Sequence, residues 1–517
     1  LYLYAVDEGY VTNSTVKHSI QNGVYISQVN TLTFDLNDVS DNATNGVLQS
    51  SGQVNITNCE LNNNGLWALK IENSNLRGYS GNSGAGNFYD AIAIQGIVNE
   101  NLILSETISG LPFVVTGLIT VLKDISLTFL PGEIIKLTNG QLTVNGFLFC
   151  EGTAESPITF TSFKDDETGG DLNNDGNMLT EPAPGDWYTF SMRGNSSNQG
   201  QAIIDHTIFK YGGANYSGEA ATVYFYQPDE GTITNSTITQ SANNGLRLHN
   251  SEQVTVDNLH ISNSNGHGIL NSSSPTDISN CELSNNADWA IYIDNAALRE
   301  YPGNSGSGNG YDAIAIRGTV NQDMIISESI SGLPFVVNGL ITVLKDISLT
   351  FLPGEIIKLT DGQLTVNGFL FCEGTEESPI TFTSFKDDET GGDLNNDGNM
   401  LTEPAPGDWY TLSMRGNSSN QGQAIIDHTI FKYGGANYSG EASTVYFYQP
   451  DEGTITTSTI MYSASNGLRL HNSELVTVDN LHISNSNGHG ILNSSSPVDI
   501  SNCELNNNAD WAIYIDN

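Results

Sequence analysis

The sequence predicts an all-β solenoid, on the evidence of strand-like alternation, a long internal repeat and a shorter period inside that repeat. Between residues 125 and 162, four or five runs of alternating apolar and polar residues each end at a turn signal, such as Pro131-Gly132 or Asn139-Gly140. Alternation over a few residues, bounded by Gly, Pro and Asn, is typical of half-buried strands. The same stretch returns almost letter for letter at residues 347–384.

The long repeat becomes visible when the sequence is aligned with itself so that Cys59 falls on Cys281, because Cys281 then falls on Cys503 without a gap. Within the overlap, residues 101–222 and 323–444 differ at nine positions, most of them conservatively. Self-similarity on this scale is the signature of a repeat array, and we predict one continuous solenoid. Its predicted parts are copy 1 (residues 1–222), copy 2 (residues 223–444) and a partial copy 3 (residues 445–517).

The shorter period is about one rung of the solenoid. Asn235, Asn258 and Asn280 recur at intervals of about 22 residues, and each stands at the start of a similar motif. A unit of this length with three short strands cannot bury its own apolar face, whereas stacked copies of it can. Because crossovers between parallel strands are right-handed almost without exception, we predict a single-stranded right-handed parallel β-helix with about 22 residues per rung. The three asparagines are expected to form a stacked side-chain ladder at one turn.

Two inserts interrupt this rhythm in each complete copy. Residues 74–92 are rich in Gly, Ser and Asn, and they predict a loop excursion from one rung, repeated at residues 296–314. Residues 164–187, KDDETGGDLNNDGNMLTEPAPGDW, show no alternation and almost no apolar residues. This second segment, the acidic insert, is expected to project from the coil because it has so little apolar surface to bury.

The rungs written N-x-x-I…G-I resemble the parallel β-helix repeats of the pectate-lyase-like superfold. The stretch at residues 125–162, followed by D-D-x-x-G-G-D-x-N-x-D-G and G-D-W, is similar to a module common in large secreted or surface proteins of bacteria. The resemblance covers essentially the whole chain and implies the fold. It implies little about activity, because the superfold includes lyases, hydrolases, tailspikes and adhesins.

Charge and composition narrow the possible partners. The formal net charge of −41 argues against nucleic acid or an anionic membrane as a partner. The chain has no apolar run of about 20 residues, which predicts no membrane insertion. Cys59 and Cys150 should lie about four rungs apart, far beyond the ~7 Å limit for a disulfide, since rungs are ~4.8 Å apart. We therefore predict that the cysteines are buried thiols rather than disulfide partners.

The acidic insert contains the best candidate for a site. Asp171, Asn173 and Asp175 occupy positions 1, 3 and 5, and Gly176 occupies position 6, as in calcium loops of the EF-hand type. Position 12, where that motif has a bidentate Glu, is Pro182. The remaining ligands must therefore come from Asp165, Asp166, Glu167 or Glu181, with the backbone of Asn177 as a further oxygen donor.

The alternative to a calcium site is a solvated acidic turn. We predict structural calcium, because a segment this polar buries too little to offset its chain entropy by itself. The predicted metal ligands are Asp165, Asp166, Asp171, Asn173, Asp175 and Asn177 in copy 1, and Asp387, Asp388, Asp393, Asn395, Asp397 and Asn399 in copy 2.

Other side chains are predicted to be structural, and no catalytic residue is assigned. The histidines, which include His206, His249, His260 and His267, have no Cys or Glu at ligand spacing and are expected to form ordinary hydrogen bonds. Arg193 is expected to be a surface charge. The aromatic residues near the copy boundary are expected to pack in the core or at strand edges rather than to form a sugar-stacking platform; they are Trp187, Tyr188, Tyr224, Phe225 and Tyr226.

These features favour a structural function over an enzymatic one. Near-identical tandem copies multiply length, which a stalk needs and an active site does not. We predict a repeat unit of an extracellular surface filament, stalk or adhesin, located at the cell surface. Neither end carries an obvious cap, so we expect a segment of a longer polypeptide that continues into further copies of itself or docks end to end. The alternative is a β-helix that binds or degrades a polysaccharide, with a lyase- or glycosidase-like activity. For the structural function, the expected partners also include a polysaccharide or another cell-surface ligand.

Overall fold

The computed structural model describes residues 1–176, 180–215, 217–398, 402–437 and 440–516. The chain forms two compact units, Leu1–Ile269 and Leu270–Asn517. In both units the described residues are almost all in short strands and turns, and the helices are single short turns. None of the helices among the described residues is long and apolar enough to cross a membrane.

The elements of the first unit are β1 (Tyr2–Tyr4), β2 (Glu8–Thr12), β3 (Thr15–Lys17), β4 (Val24–Ser27), β5 (Val29–Asp35), β6 (Asp38–Ser40), β7 (Val47–Gln49), β8 (Gly52–Thr57), β9 (Trp67–Asn75), β10 (Tyr89–Val98), β11 (Leu102–Leu104), α1 (Glu106–Ser109), β12 (Phe113–Val121), β13 (Ser126–Phe129), β14 (Ile134–Leu137), β15 (Gln141–Val144), β16 (Phe147–Glu151), β17 (Ile158–Ser162), β18 (Phe190–Arg193), β19 (Gln201–Asp205), β20 (Thr207–Lys210), β21 (Ala221–Tyr226), β22 (Gly231–Thr234), β23 (Thr237–Thr239), β24 (Asn244–His249), β25 (Val254–Asp257) and β26 (His260–Ser262).

The following elements are β27 (Ile269–Ser272), which begins at the last residue of the first unit, and then β28 (Asp277–Ser279), β29 (Glu282–Ser284), β30 (Trp289–Ala297), β31 (Ser305–Ser307), β32 (Tyr311–Val320), β33 (Met324–Ile326), α2 (Glu328–Ser331), β34 (Phe335–Val343), β35 (Ser348–Phe351), β36 (Ile356–Leu359), β37 (Gln363–Val366), β38 (Phe369–Glu373), β39 (Ile380–Ser384), β40 (Leu412–Arg415), β41 (Gln423–Asp427), β42 (Thr429–Lys432), β43 (Ser443–Tyr448), β44 (Gly453–Thr456), β45 (Thr459–Met461), β46 (Asn466–His471), β47 (Val476–Asp479), β48 (His482–Ser484), β49 (Ile491–Ser494), β50 (Asp499–Ser501), β51 (Glu504–Asn506) and β52 (Ile513–Asp516).

Strands pair in parallel with the equivalent strands of the next rung. Val223 in β21 is opposite Leu246 in β24, and Thr237 in β23 is opposite His260 in β26, so both pairings advance by one rung. The same pattern holds in the second unit, where Val445 in β43 is opposite Leu468 in β46. The predicted fold class, an all-β parallel solenoid whose rungs recur at the period read from the sequence, is confirmed.

The core of each unit is the narrow interior that alternate strand residues fill. In the first unit, Phe160 stacks on Phe209 with ring centroids 5.2 Å apart, and Phe190 packs edge-on against the ring of Phe209. Offset and edge-on arrangements of this kind are preferred between aromatic rings. All five cysteines are free thiols, and all except the partly exposed Cys503 are buried, as predicted.

Asparagine ladders link successive rungs at the turns. Asn258 donates from Nδ2 to Oδ1 of Asn235 at 2.7 Å, which confirms the predicted ladder for this pair. A second ladder was not predicted from the sequence. This second ladder is buried. Asn42 donates from Nδ2 to Oδ1 of Asn64 at 2.9 Å, and Asn64 donates from Nδ2 to Oδ1 of Asn87 at 2.8 Å.

The prediction of a loop excursion at residues 74–92 is wrong. β9 extends into the first residues of this segment and β10 begins within it, while Ser83 forms a parallel bridge with Glu60. In the second unit the equivalent residues form β31, which pairs in parallel with β29. Leu76 and Tyr79 are buried, so the segment stays within the stack of rungs although glycine, serine and asparagine dominate its sequence.

Candidate metal centre

The described residues of the acidic insert, 164–176 and 180–187, fold back on the outer face of the solenoid, so the expectation that the insert projects from the coil is wrong for them. Phe163 and Leu172 pack against a cluster of buried residues on β9, β10 and β12, which consists of Trp67, Ala91, Ala93 and Val114. The ring centroids of Trp67 and Phe163 are 5.6 Å apart. The second unit repeats this packing, with Phe385 and Leu394 placed against Trp289. Leu172 within the insert and Phe163 immediately before it therefore dock this polar segment on the solenoid.

A buried lysine holds the start of the insert. Lys136 in β14 is fully buried, and its Nζ donates to the backbone oxygens of Asp165, at 2.7 Å, and of Gly170. Burial lowers the pKa of Lys136, and the nearby carboxylates of Asp166, Asp165 and Asp171 oppose that change. Lys358 occupies the same position in the second unit. The charged donor thus links two backbone carbonyl groups of the insert to the strand beneath it.

The end of the insert is also fixed to the solenoid. Asp186 accepts hydrogen bonds from Ser162 Oγ at 2.6 Å and from Lys164 Nζ at 2.7 Å. The next residue, Trp187, is fully buried and donates from Nε1 to the backbone oxygen of Lys210 at 2.7 Å. Both ends of the acidic insert are therefore attached to the solenoid.

Three carboxylates converge in that loop. One oxygen each from Asp166, Asp171 and Asp175 lies within 4.8 Å of the other two, and Asp388, Asp393 and Asp397 form the same group in the second unit. We call these groups the carboxylate triads. Asp171 also accepts from the backbone nitrogens of Asp175, at 3.1 Å, and Gly176, at 3.0 Å, and so closes the turn. Among the described residues, these two triads are the clusters with metal-binding geometry.

The donor set fits a hard divalent cation. Oδ1 of Asp166, like that of Asp388, is buried and accepts no hydrogen bond from the described part of the chain. Burial raises the pKa of the Asp166 carboxyl, and the negative charges of Asp171 and Asp175 raise it further. Calcium takes carboxylate and carbonyl oxygens at about 2.3–2.6 Å and would neutralise this repulsion. The triad would supply three ligands, and the amide oxygen of Asn173, which accepts from the backbone nitrogen of Asp175 at 3.2 Å, lies in the same loop.

Among the remaining predicted ligands, the structure places the carboxylates of Asp165 and Asp387 outside the triads. The Asp165 carboxylate accepts from Thr161 Oγ1 at 2.5 Å and lies 3.7 Å from Lys210 Nζ. In the second unit Asp387 likewise lies 3.5 Å from Lys432 Nζ, while Asn395 is placed as Asn173 is. Glu167 and Glu181 are not members of the triad. Asn177 and Asn399 lie outside the described residues.

Sequence reasoning missed the residues that position the insert. Lys136 sits within an ordinary alternating strand, and Leu172 is an isolated apolar residue in a polar segment, so neither gives a periodic signal. Arg193, expected to be a plain surface charge, forms an ion pair with the buried Glu219. The packing prediction for the aromatic residues holds for Trp187 and Phe225, which are fully buried.

The remaining aromatic and histidine predictions can be compared with individual contacts. Tyr226 is 36% exposed and stacks on His249 with ring centroids 5.3 Å apart. His206 contacts Asp205 at 2.9 Å through Nδ1. Neither carboxylate triad contains a histidine.

Comparison with known proteins agrees with the architecture. A family model described as "Right handed beta helix region" matches residues 191–330 and 411–517. The chain has the right-handed parallel β-helix fold. No curated protein matches this β-helix in sequence. A similar solved structure is that of an alginate lyase from Paenibacillus sp. str. FPU-7, with 13% sequence identity and a TM-score of 0.14. The similarity covers 75% of this chain and 93% of the lyase chain, but at that TM-score it carries no argument about activity.

Proposed function

We propose that this β-helix is a structural repeat unit of an extracellular surface filament, stalk or adhesin, and that calcium bound at the carboxylate triads rigidifies its acidic inserts. The observation that carries the proposal is the carboxylate triad at the docked insert, which occurs in both units with the same residue types at equivalent positions of the long repeat. A repeated ion site on a repeated scaffold suits a part whose task is mechanical.

Calcium would act on the insert rather than on the core. Hydrogen-bonded strands and stacked aromatic rings hold the rungs together without a metal. The insert, in contrast, depends on Lys136, on Asp186 and on the packing of Phe163 and Leu172, while the triad carboxylates repel one another. A bound divalent cation would turn that repulsion into attraction and would hold the loop against the sheet.

Further copies of the same repeat are the proposed partners. Open strand edges at the end of a β-solenoid invite pairing, and a following rung of the same sequence would satisfy them. Under this proposal, load along a filament would be borne by the strand pairing of successive rungs. The inserts would stiffen the surface at intervals of one copy.

Single-molecule stretching of the chain by its two ends tests the mechanical function. In calcium, we expect two insert-release events of equal size at higher force than in chelator, because each complete copy has one triad. Immunogold labelling of sectioned source cells should place the protein outside the cell. Equal forces in calcium and chelator, or label confined to the interior, would refute the proposal.

An enzymatic function makes a different prediction. An enzyme acting on acidic polysaccharides would release products from polygalacturonate or alginate, and changing Asp165 or Arg193 to alanine would abolish that release. We expect no turnover from the wild-type chain in the presence or absence of calcium. Turnover that is lost in either variant would replace the structural function with a catalytic one.

A further inference from the structure

A groove on one lateral sheet of the first unit leaves apolar side chains in contact with solvent. It has a volume of about 240 Å³ and is formed on β16, β19 and the start of β22. The side chains that matter here are Phe147, Phe149, Gln201, Ile203, Glu230 and Thr232. The second unit has the same groove, with a volume of about 270 Å³, formed by Phe369, Phe371, Gln423, Ile425, Glu452 and Thr454.

The strand register explains why this apolar surface is exposed. Leu148 and Ile204 fill the core and are fully buried, so their neighbours along the strands face outward. Phe149 is opposite Ile203, and Ile203 is opposite Thr232, which places these three side chains in one row across successive rungs. Ile203 is 41% exposed, in a position where a solvated strand face normally has polar residues.

The border of the groove is acidic. Glu230 lines it directly, and Glu151 and Asp205 lie opposite each other at the ends of β16 and β19. None of the residues that line the groove is basic. An anionic ligand, such as a uronate polymer or a nucleic acid, would be repelled by these carboxylates. The groove therefore favours a ligand that is uncharged, has an apolar face and carries groups able to hydrogen-bond.

A neutral sugar ring meets all three requirements. Its C–H face can cover the ring of Phe147 or Phe149 and remove both surfaces from water. Its hydroxyl groups can donate to the Glu230 carboxylate and exchange hydrogen bonds with the Gln201 amide, which are the polar groups that fix a ligand's orientation in an otherwise apolar site. A second molecule of this protein fits the groove less well. Each molecule has a net charge of −41, and the groove borders that would meet are both acidic.

We propose that the two grooves bind a neutral polysaccharide, with one sugar ring stacked on the phenylalanine pair of each groove. The same groove in both units suits a polymer with a repeating structure, because two weak sites on one chain bind such a ligand with higher avidity than either site alone. This proposal concerns a different face from the carboxylate triads and does not depend on calcium. It adds a ligand to the structural function.

Affinity electrophoresis tests the proposal through gels that contain one polysaccharide each. The neutral probes are hydroxyethylcellulose, arabinoxylan and galactomannan, and the acidic probes are polygalacturonate and alginate. We expect at least one neutral gel to retard the wild-type chain and neither acidic gel to do so. The double variant Phe149→Ala with Phe371→Ala should bind the retarding polysaccharide at least tenfold more weakly than the wild-type chain. The affinity of each single variant should lie between those of the wild-type chain and the double variant.

Matched controls separate lost contacts from lost folding. Tyr226→Ala with Tyr448→Ala truncates aromatic residues on another sheet and should leave retardation unchanged. Phe149→Leu with Phe371→Leu keeps a large apolar side chain but removes the aromatic face. This variant should therefore still fold and bind more weakly, even if the alanine variant unfolds. Three results would each overturn the proposal: no retardation in any neutral gel, retardation that survives both Phe149 variants, or sedimentation showing a wild-type dimer that the Phe149 variants dissociate.

Discussion

Replacing one triad carboxylate by its amide should stabilise the insert in chelator and destabilise it in calcium. Asp166→Asn, made together with Asp388→Asn, is the cleanest change, because Oδ1 of each residue accepts no hydrogen bond from the described residues. Asparagine keeps the shape of the side chain and removes its charge. The two conditions then separate electrostatic repulsion from cation binding.

The size of the effect in chelator follows from the separation of the carboxylates. Two unit charges 4.8 Å apart repel by about 3.5 kcal/mol at an effective dielectric constant of 20, and by about 0.9 kcal/mol in bulk water. The substitution removes two of the three repulsions in a triad. Because these groups are partly exposed, the value for water is the better guide. The substitution also removes the attraction between Asp166 and Lys136, so we expect the insert to gain at most about 1–2 kcal/mol.

In calcium the sign reverses, because one of three anionic ligands has been lost. We expect calcium affinity to fall at least tenfold, which corresponds to about 1.4 kcal/mol. Hydrogen–deuterium exchange of peptides from residues 164–187 and 386–409 measures the local stability of the inserts in both conditions. Protection should increase in chelator and decrease in calcium relative to the wild-type chain.

Asp165→Asn, made with Asp387→Asn, is the matched control. The Asp165 carboxylate accepts from Thr161 and lies near Lys210 instead of joining the triad. Its loss should destabilise the insert in both conditions. If Asp166→Asn changes protection in the same direction with and without calcium, the triad is not a cation site and the reasoning fails.

Three further predictions concern pH, a ladder and a close contact. The pKa of the Asp166 carboxyl is raised in the folded chain, so in chelator the folding stability should fall as the pH rises above the ordinary carboxyl pKa of 3.8. Calcium binds the ionised carboxylate. The rise in Tm caused by calcium should therefore be largest near neutral pH and should shrink as the pH approaches 3.8. Asn64→Ala should cost about 2–4 kcal/mol in urea unfolding, since it leaves several buried ladder groups without partners, and a cost below about 0.5 kcal/mol would contradict the ladder's role. Gly212→Ala would place a methyl group 2.5 Å from the buried ring of Trp187, so about 1–3 kcal/mol of destabilisation and a shifted tryptophan emission are expected, and unchanged emission would contradict that contact.

The fold was predictable because its signal is periodic. Alternation, turn residues and the spacing of Asn235 and Asn258 each report on the same rung, and the structure pairs those rungs as expected. Residues 74–92 failed this reasoning for a physical reason. Leu76 and Tyr79 are buried and the segment pairs with the preceding rung, whereas their glycine-rich surroundings have the composition of a loop.

The candidate site was predictable only in part. The 1-3-5 spacing of Asp171, Asn173 and Asp175 is local, so the loop that it predicts is present. The third triad member is Asp166 and not the adjacent Asp165, and this choice depends on how Lys136 and Lys210 hold the backbone and side chain of Asp165. Those lysines are distant in sequence, and the docking of Leu172 on Trp67 joins residues still farther apart. Contacts of this kind have no signature in a single sequence.

Titration calorimetry of calcium into metal-free protein is the most direct test of the central claim, which is that the triads are cation sites. The wild-type chain should bind two calcium ions, Asp166→Asn should retain one strong site, and the variant that also carries Asp388→Asn should retain none. Absence of heat with the wild-type chain, or two strong sites that persist in the double variant, would contradict the account.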